Sequence, residues 1–439
     1  MKFLDNLTQK KLIVYIFSLI CISSLIISYI CKINLSNIFG VTNQSPFLLQ
    51  FNISAKNGGV VSDLATHWQY IKILRQDISN LFLYEMGVDA KLLNYPLHHI
   101  IFSQLYLLSD DIKKYLLVYF CFSLTLPYIF YLNLSSIFKE INKYKLISIS
   151  SLIYIAPIFQ YSAIWGNNHI TALFFFLIGT LFHIKLRNIN YKKKVYSIIS
   201  IFFLSLAAYT RQYYAFFFLF IFLEYFVKFK FRSLLLVSLF TFLLSIPGIL
   251  FLIKSPILLF GIKREITNFG SSILISASIC FFYIVPFIIQ YFFNNYKKFS
   301  NTVKIFFNLK IFFISLTIFL LCLPFFKYQG NIGGGIFYKF FIIIFNQKLI
   351  FFIISFFGIY FILFFTKKNI YSILLSALIL CTFSSGNLIF QKYFEPMFFI
   401  IFLFFFDKKK LKNCLSKNNH IIICYFVIYY VLINYIYFF

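Results

Sequence analysis

Long apolar runs recur from one end of the chain to the other, separated by short basic stretches. A helix needs about 20 residues to cross the hydrocarbon core of a bilayer. Runs such as "LIVYIFSLICISSLIISYI" and "SLLLVSLFTFLLSIPGILFLI" reach that length. Hydrophobic residues make up 61% of the 439, with 67 Phe and 32 Tyr, more than a soluble domain of this size can bury. The chain therefore reads as an all-α polytopic membrane protein, a single integral-membrane domain over 1–439.

Polar breaks divide the runs into thirteen candidate helices: 11–30, 114–134, 145–161, 168–184, 195–210, 212–227, 233–252, 271–292, 311–325, 348–366, 370–385, 394–406 and 420–438. No small-residue cleavage site follows the first, so it is expected to be retained. With the N terminus in the cytoplasm, the segments 1–10, 135–144, 185–194, 228–232, 293–310, 367–369 and 407–419 face inward. They are short, and they carry more than half of the 40 Lys and Arg. This is the charge bias expected of cytoplasmic loops. It also accounts for the net charge of +28. No aromatic-interleaved basic domain is present, so membrane lipids are expected partners and nucleic acid is not. In the apolar run 336–366, Asn346, Gln347 and Lys348 interrupt the pattern, and its first half reads as interfacial or re-entrant. Gly333-Gly334-Gly335 reads as a flexible outer linker. The eight cysteines are scattered without CxxC spacing and read as small buried hydrophobes.

The one stretch of soluble character is the loop 31–113, with helices 2–13 following over 114–438. The chain has only 12 acidic residues, yet Asp63, Asp77, Glu85, Asp89, Asp110 and Asp111 all fall in this loop. Gly58-Gly59 closes an irregular lead-in, and Ser62 is placed to cap a helix beginning at Asp63. Leu64, Trp68, Ile71, Leu74 and Ile78 then recur at helical spacing, which predicts an amphipathic helix on the membrane surface. An acid in its first turn gains about 0.3–1 kcal/mol from the helix dipole. Asp63 and His67, four residues apart, share a face of that helix. A second segment, "PLHHIIFSQLYLL", opens at Pro96 and carries His98 and His99. Carboxylates beside a bilayer are costly unless solvated or used, so Asp63 and these histidines are the leading candidates for chemistry. His and Asp also suit a divalent metal, but no close ligand spacing demands one. No metal residue and no cofactor is assigned.

These residues carry a resemblance to a known class. A first membrane helix followed by a long outer loop, with an acid early in an amphipathic helix, resembles the GT-C class of integral-membrane glycosyltransferases. "NYPLHHIIFSQLYLLSDD" is similar to the Pro-containing segment that members often place before the second membrane helix. "AAYTRQYYAFF" carries Arg211-Gln212 between two apolar helices. It is similar to the Arg-Gln pair of the α-1,2-glucosyltransferases that use dolichyl-phosphate-glucose. "GNLIFQKYFEPMFFI", with Gln391, Lys392, Tyr393 and Glu395, resembles an aromatic-and-basic pattern of the class. Asp63 is followed by Leu64 rather than a second acid, and Arg-Gln is followed by Tyr-Tyr. The family within the class, and the sugar, stay open.

The resemblance implies a GT-C-like bundle of about 13 spans, with a large first outer loop bearing surface helices. It implies transfer of a sugar from a polyprenyl-phosphate donor to a lipid-linked or cell-envelope glycan acceptor on the outer face. The residue chemistry agrees. Asp63 suits a general base, and the forked guanidinium of Arg211 suits phosphate oxygens. Lys263, Arg264 and Lys392 are further phosphate candidates. Trp165 to His169 form a short outer loop, which would turn His169 toward the cavity. A bacterial inner membrane with a periplasmic site is expected. Two other classes of membrane protein fit the composition. A flippase or transporter of lipid carriers would need ionisable residues deep within helices, whereas most charges here fall at helix ends. A glycan polymerase or ligase would concentrate its functional loop late in the chain.

Overall fold

The computed structural model describes residues 2–38, 60–79, 95–105, 111–254, 269–295, 308–328, 333–366, 389, 391, 394–405, 407–416 and 419–438. Helix is the regular structure throughout, and no strand occurs among the described residues. Among the described residues, six helical stretches are long and apolar enough to cross a membrane: Lys11–Ile30, Ile112–Ile137, Asn168–Asn188, Phe231–Ile253, Phe269–Asn294 and Lys348–Phe365. A seventh arises if the bent pair Lys143–Ile155 and Pro157–Ile164 is one broken span. The expected helix 370–385 lies outside the described residues. Helical residues occupy the other twelve expected segments, but several of those helices are shorter than a bilayer crossing requires.

The chain divides into two units, Met1–Phe218 with Tyr225–Ser255 and Ile423–Phe439, and Leu219–Glu224 with Pro256–Ile422. The first contains α1 (Lys2–Ile38), α2 (Val60–Gln76), α3 (Leu97–Gln104), α4 (Ile112–Ser123), α5 (Leu126–Ile137), α6 (Lys143–Ser151) and α7 (Pro157–Ile164). It continues with α8 (Asn168–Asn188), α9 (Lys194–Thr210), most of α10 (Tyr214–Lys228) and α11 (Phe231–Lys254).

Local sequence explains the main features of this unit. Pro157 has no N–H to donate and forces the preceding Ala156 into an extended conformation, with ψ 125°. The helices on either side meet there at 58°. α8 and α9 form an antiparallel hairpin. Asn190 and Tyr191 make its turn with φ of 50° and 61°. Gly179 lets the two helices approach, since a Cβ there would come within 2.8 Å of Leu204 Cγ. α1 packs on α6 and α7, where Ser151 donates to Ser18 Oγ at 2.8 Å. Its other face is bare: Leu19 is 64% exposed, and on α11 Phe231 is 79% exposed. Faces of this size and apolarity are covered by lipid in a multi-pass membrane protein.

The second unit contains α12 (Phe269–Asn294), α13 (Leu309–Cys322), α14 (Gly335–Tyr338), α15 (Lys348–Phe365), α16 (Met397–Ile400) and α17 (Lys408–Ser416). The final helix, α18 (His420–Phe438), begins in this unit and runs into the first. α12 and α15 pack closely because Gly358 lies against the Ala277 carbonyl, where a Cβ has no room. The expected break in 336–366 is present. A π-helical turn over Lys339–Ile344 ends at Asn346, which takes φ 52° before α15 begins. Asn tolerates this left-handed conformation better than most residues.

The triple glycine differs from its expectation as a flexible linker. Gly333, Gly334 and Gly335 are buried and take φ of 88°, 79° and 76°. Gly334 N donates to Ile389 O at 2.7 Å. Three successive left-handed residues are affordable only without side chains, so the run is a fixed turn. The cysteine expectation holds for Cys21, Cys280, Cys322 and Cys414, which are buried, whereas Cys121 and Cys424 are exposed on their helices.

Candidate functional site

The site lies in the first unit and begins on α2. Val60 and Val61 are already helical, so Ser62 and Asp63 lie inside the first turn and Ser62 is not the cap expected from the sequence. Leu64, Trp68, Ile71 and Leu74 are buried as their spacing predicts, while Ile78 is exposed beyond the helix end. Burying each large side chain contributes roughly 1.5–3 kcal/mol. His67 shares this inward stripe and is 3% exposed, so it is not on the surface. Asp63 stands one helical turn before it on α2; its side chain lies outside the described residues. α3 opens after Pro96 and buries His98, His99, Phe102 and Ser103. Trp68 of α2 stacks on Tyr115 of α4, with ring centroids 5.5 Å apart.

Three imidazoles meet where α2 and α3 pack. The ring centroids are 5.0 Å apart for His67 and His99, 5.2 Å for His98 and His99, and 5.4 Å for His67 and His98. His98 and His99 are fully buried. The partners determine how the protons are arranged. Tyr115 donates its hydroxyl proton to Gly166 O at 2.5 Å, so its oxygen accepts from His98 Nε2 at 3.1 Å. His98 Nδ1 is then the acceptor for the Thr171 hydroxyl at 2.9 Å. His67 Nε2 donates to Asn167 Oδ1 at 3.0 Å, which leaves its Nδ1 to accept from His99 Nε2 at 2.7 Å. His67 and His98 are thus satisfied at both nitrogens in the neutral form, and His99 donates from Nε2 as a neutral ring.

Electrostatics favours the same state. Burial pushes His98 well below the usual histidine range, helped by His99, His67 and the Arg211 charge. Burial also lowers His99, with His67 adding to the effect. A buried imidazolium beside two other rings and a guanidinium is disfavoured.

A cation lies on the other side of Asn167. Gly166 takes φ 63°, and a Cβ there would meet the Tyr115 ring within 2.7 Å, so only glycine makes this turn. The turn delivers Asn167, then Asn168 as the first residue of α8. Tyr119 donates its hydroxyl to Asn167 O. Arg211 ends α9 in an extended conformation and donates from Nε to Asn168 Oδ1 at 2.9 Å. Its guanidinium lies 5.9 Å from the centroid of the Tyr213 ring. Asn168 Nδ2 is buried with no hydrogen-bond partner among the described residues. That donor and the guanidinium lie where α8 begins, at the positive end of its dipole, an arrangement suited to an anion.

The residues singled out in the sequence therefore separate into groups. His67, His98 and His99 come together, and Arg211 joins them through Asn168 and Asn167. His169 is buried in the first turn of α8, and Gln212 is half-buried in the turn between α9 and α10. Gln391 and Glu395 belong to the second unit. There Gln391 Oε1 accepts from Ile336 N at 3.0 Å, and Glu395 is buried just before α16. Lys263, Arg264, Lys392 and Tyr393 lie outside the described residues. Sequence reasoning missed Tyr115, Tyr119, Asn167, Asn168 and Thr171. The only signal for the asparagines was a polar Asn pair at the mouth of an apolar helix.

Fold and site together define an all-helical, multi-pass membrane protein with a buried polar centre where its loop helices meet the starts of its membrane helices. No family model, curated protein or solved structure matches the chain.

Proposed function

We propose that the chain is a membrane glycosyltransferase of GT-C type. It moves a sugar from a polyprenyl-phosphate donor to a lipid-linked or cell-envelope glycan acceptor. In this reading about 13 spans form the bundle, the N terminus is cytoplasmic, and the chemistry takes place on the periplasmic face of a bacterial inner membrane.

The observation that carries the reading is the connected line from α2 to Arg211. His67 bonds Asn167, Asn168 follows in the chain, and Asn168 bonds Arg211. Asp63 precedes His67 by one turn on the same helix. In this reading the Asp63 carboxylate and the Arg211 cation serve the two sides of one buried polar centre, as transfer from a sugar phosphate requires. Asp63 takes the proton of the acceptor hydroxyl as that oxygen bonds to the anomeric carbon. The bond from the anomeric carbon to the phosphate oxygen breaks, and its electron pair leaves with the polyprenyl phosphate. Arg211 and the Asn168 amide stabilise the charge that builds on that phosphate.

The test uses purified chain in liposomes, with labelled polyprenyl-phosphate sugars and nucleotide sugars offered in parallel and product lipid measured. Transfer is expected from the lipid donors. Asp63→Asn should lower it about 10²–10⁴-fold, and Arg211→Gln about 10²–10³-fold. Arg211→Lys should recover only part of the loss, because a point charge cannot reproduce the guanidinium fork. Wild-type rates in Asp63→Asn, or transfer from nucleotide sugars alone, would overturn the proposal.

A further inference from the structure

We infer that His67, His98 and His99 form a binding site for one divalent transition-metal ion, with zinc the best-matched common ion. The inference is independent of glycosyl transfer.

It rests first on convergence. Three rings from two helices, separated in sequence by up to 32 residues, form a nearly equilateral triangle with centroids 5.0–5.4 Å apart. One nitrogen from each ring lies within 4.8 Å of the others. A tetrahedral zinc ion with bonds of 2.0–2.1 Å sets its nitrogens roughly 3.3 Å apart. The His67–His99 pair, at 2.7 Å, needs to open by about half an ångström, and the widest pair, at up to 4.8 Å, needs to close by about 1.5 Å. Movements of that size lie within the reach of side-chain rotation.

The chemistry of the donors is the second support. Neutral imidazole is the form that binds zinc, and burial keeps these rings neutral. The donor set is nitrogen only, which disfavours magnesium and calcium, whose ligands are oxygens. His67 already donates its distal N–H to Asn167 Oδ1. That contact orients a ligating imidazole in the way outer partners do in known metal sites. His67 Nδ1 and His99 Nε2 face one another with a single proton between them. The ion replaces that proton once His99 moves it to Nδ1, so neither ring becomes charged.

His98 must exchange a hydrogen bond for the ion, and the structure provides for this. The Thr171 hydroxyl that now serves Nδ1 lies 3.3 Å from the Tyr119 oxygen. Tyr119 gives its own proton to Asn167 O, so its oxygen is able to accept from Thr171. Three histidines leave an open position on a four-coordinate ion, as catalytic rather than purely structural zinc sites do.

The experiment uses the full chain in detergent or nanodiscs, with affinity tags removed. The protein is stripped with chelator, loaded with Zn²⁺, passed through gel filtration and assayed for retained metal. One ion per chain is expected, together with a zinc-dependent rise in melting temperature. Co²⁺ loading should give the visible d–d bands of a low-coordinate nitrogen site. His99→Gln should abolish retention and the thermal shift. Asn167→Ala, which removes the outer partner of His67 and none of the three ligands, should weaken binding about 10–100-fold. His420→Ala, outside the cluster, should bind as wild type. If wild-type protein retains no more zinc than the His67, His98 and His99 triple Gln variant, the inference is wrong. Featureless Co²⁺ spectra from folded wild-type protein would overturn it without reference to any variant.

Discussion

The Tyr115 hydroxyl donates to the Gly166 carbonyl and accepts from His98, so one oxygen joins α4, the turn before α8, and α3. Each neighbour constrains the others. Gly166 holds a left-handed conformation with the Tyr115 ring against its Cα, and His98 draws its tautomer from the direction of the Tyr115 proton. Tyr115→Phe removes the donor for Gly166 O and the acceptor for His98 Nε2 while keeping the ring. Leaving two buried groups unsatisfied should cost about 1–3 kcal/mol. Gly166→Ala should cost at least as much, since it combines a strained φ with a clash against Tyr115. Thermal unfolding in detergent should show both variants melting below wild type. A Gly166→Ala variant that melts at the wild-type temperature would refute this account of the turn.

The lowered affinity of His98 and His99 for protons predicts acid sensitivity in metal-free protein. Among the described residues, the groups around them include His67 and Tyr70 on α2, Tyr115 and Tyr119 on α4, Thr171 on α8 and Arg211 at the end of α9, and none of these supplies a negative charge. Below the unfolded histidine value of 6.5, the unfolded chain binds protons that the folded chain refuses. Stability is therefore complete above about pH 6.5 and declines as pH falls, by at most about 1.4 kcal/mol per unit for each histidine. Melting temperatures measured with chelator at about pH 7.5 and about pH 5 should differ more in wild type than in His99→Gln. An equal fall in both would remove His99 from the account.

How much of this was legible beforehand depends on the distance over which each feature is determined. α2 was readable because Leu64, Trp68, Ile71 and Leu74 state their common face within one segment. Pro96 announced α3, and Arg211 announced a polar break between α9 and α10. The triangle of histidines was not readable. Its members lie on two helices, and their meeting depends on how α2 and α3 pack, which no local spacing encodes. The roles of Asn167 and Asn168 were hidden for a related reason. The loop from Trp165 to His169 drew attention to its Trp and His, the usual interface residues, whereas the contacts to His67 and Arg211 belong to the asparagines between them. Gly333 to Gly335 illustrates the opposite error. Glycines suggest freedom when their partners are unknown, but Ile389 and Gln391, more than 50 residues later, hold this run in place.

Within the apolar body, Asn133 bears on how the membrane helices hold together. It lies on α5, fully buried, and donates through Nδ2 to Leu177 O of α8 at 2.9 Å. Its Oδ1 accepts from the Thr180 hydroxyl at 3.0 Å. Both ends of the amide are used, so the residue reads as interhelical glue and not as a misplaced polar group. In lipid no water is at hand to replace a lost partner, which argues for a large effect. Unfolded helices in a membrane find other partners, however, and measured interhelical hydrogen bonds there contribute about 0.6 kcal/mol on average and up to about 1.7. Asn133→Leu keeps the volume and removes both interhelical bonds, along with the Nδ2 bond to Ile129 O of its own helix, so it should destabilise by about 1–2 kcal/mol. Asn133→Ala adds a cavity and should cost more. Thr180→Val leaves the Leu177 bond intact and should fall between wild type and Asn133→Leu. Unfolding measured in mixed micelles tests the order of the three variants. If Asn133→Leu proved as stable as wild type, close packing alone would hold α5 to α8.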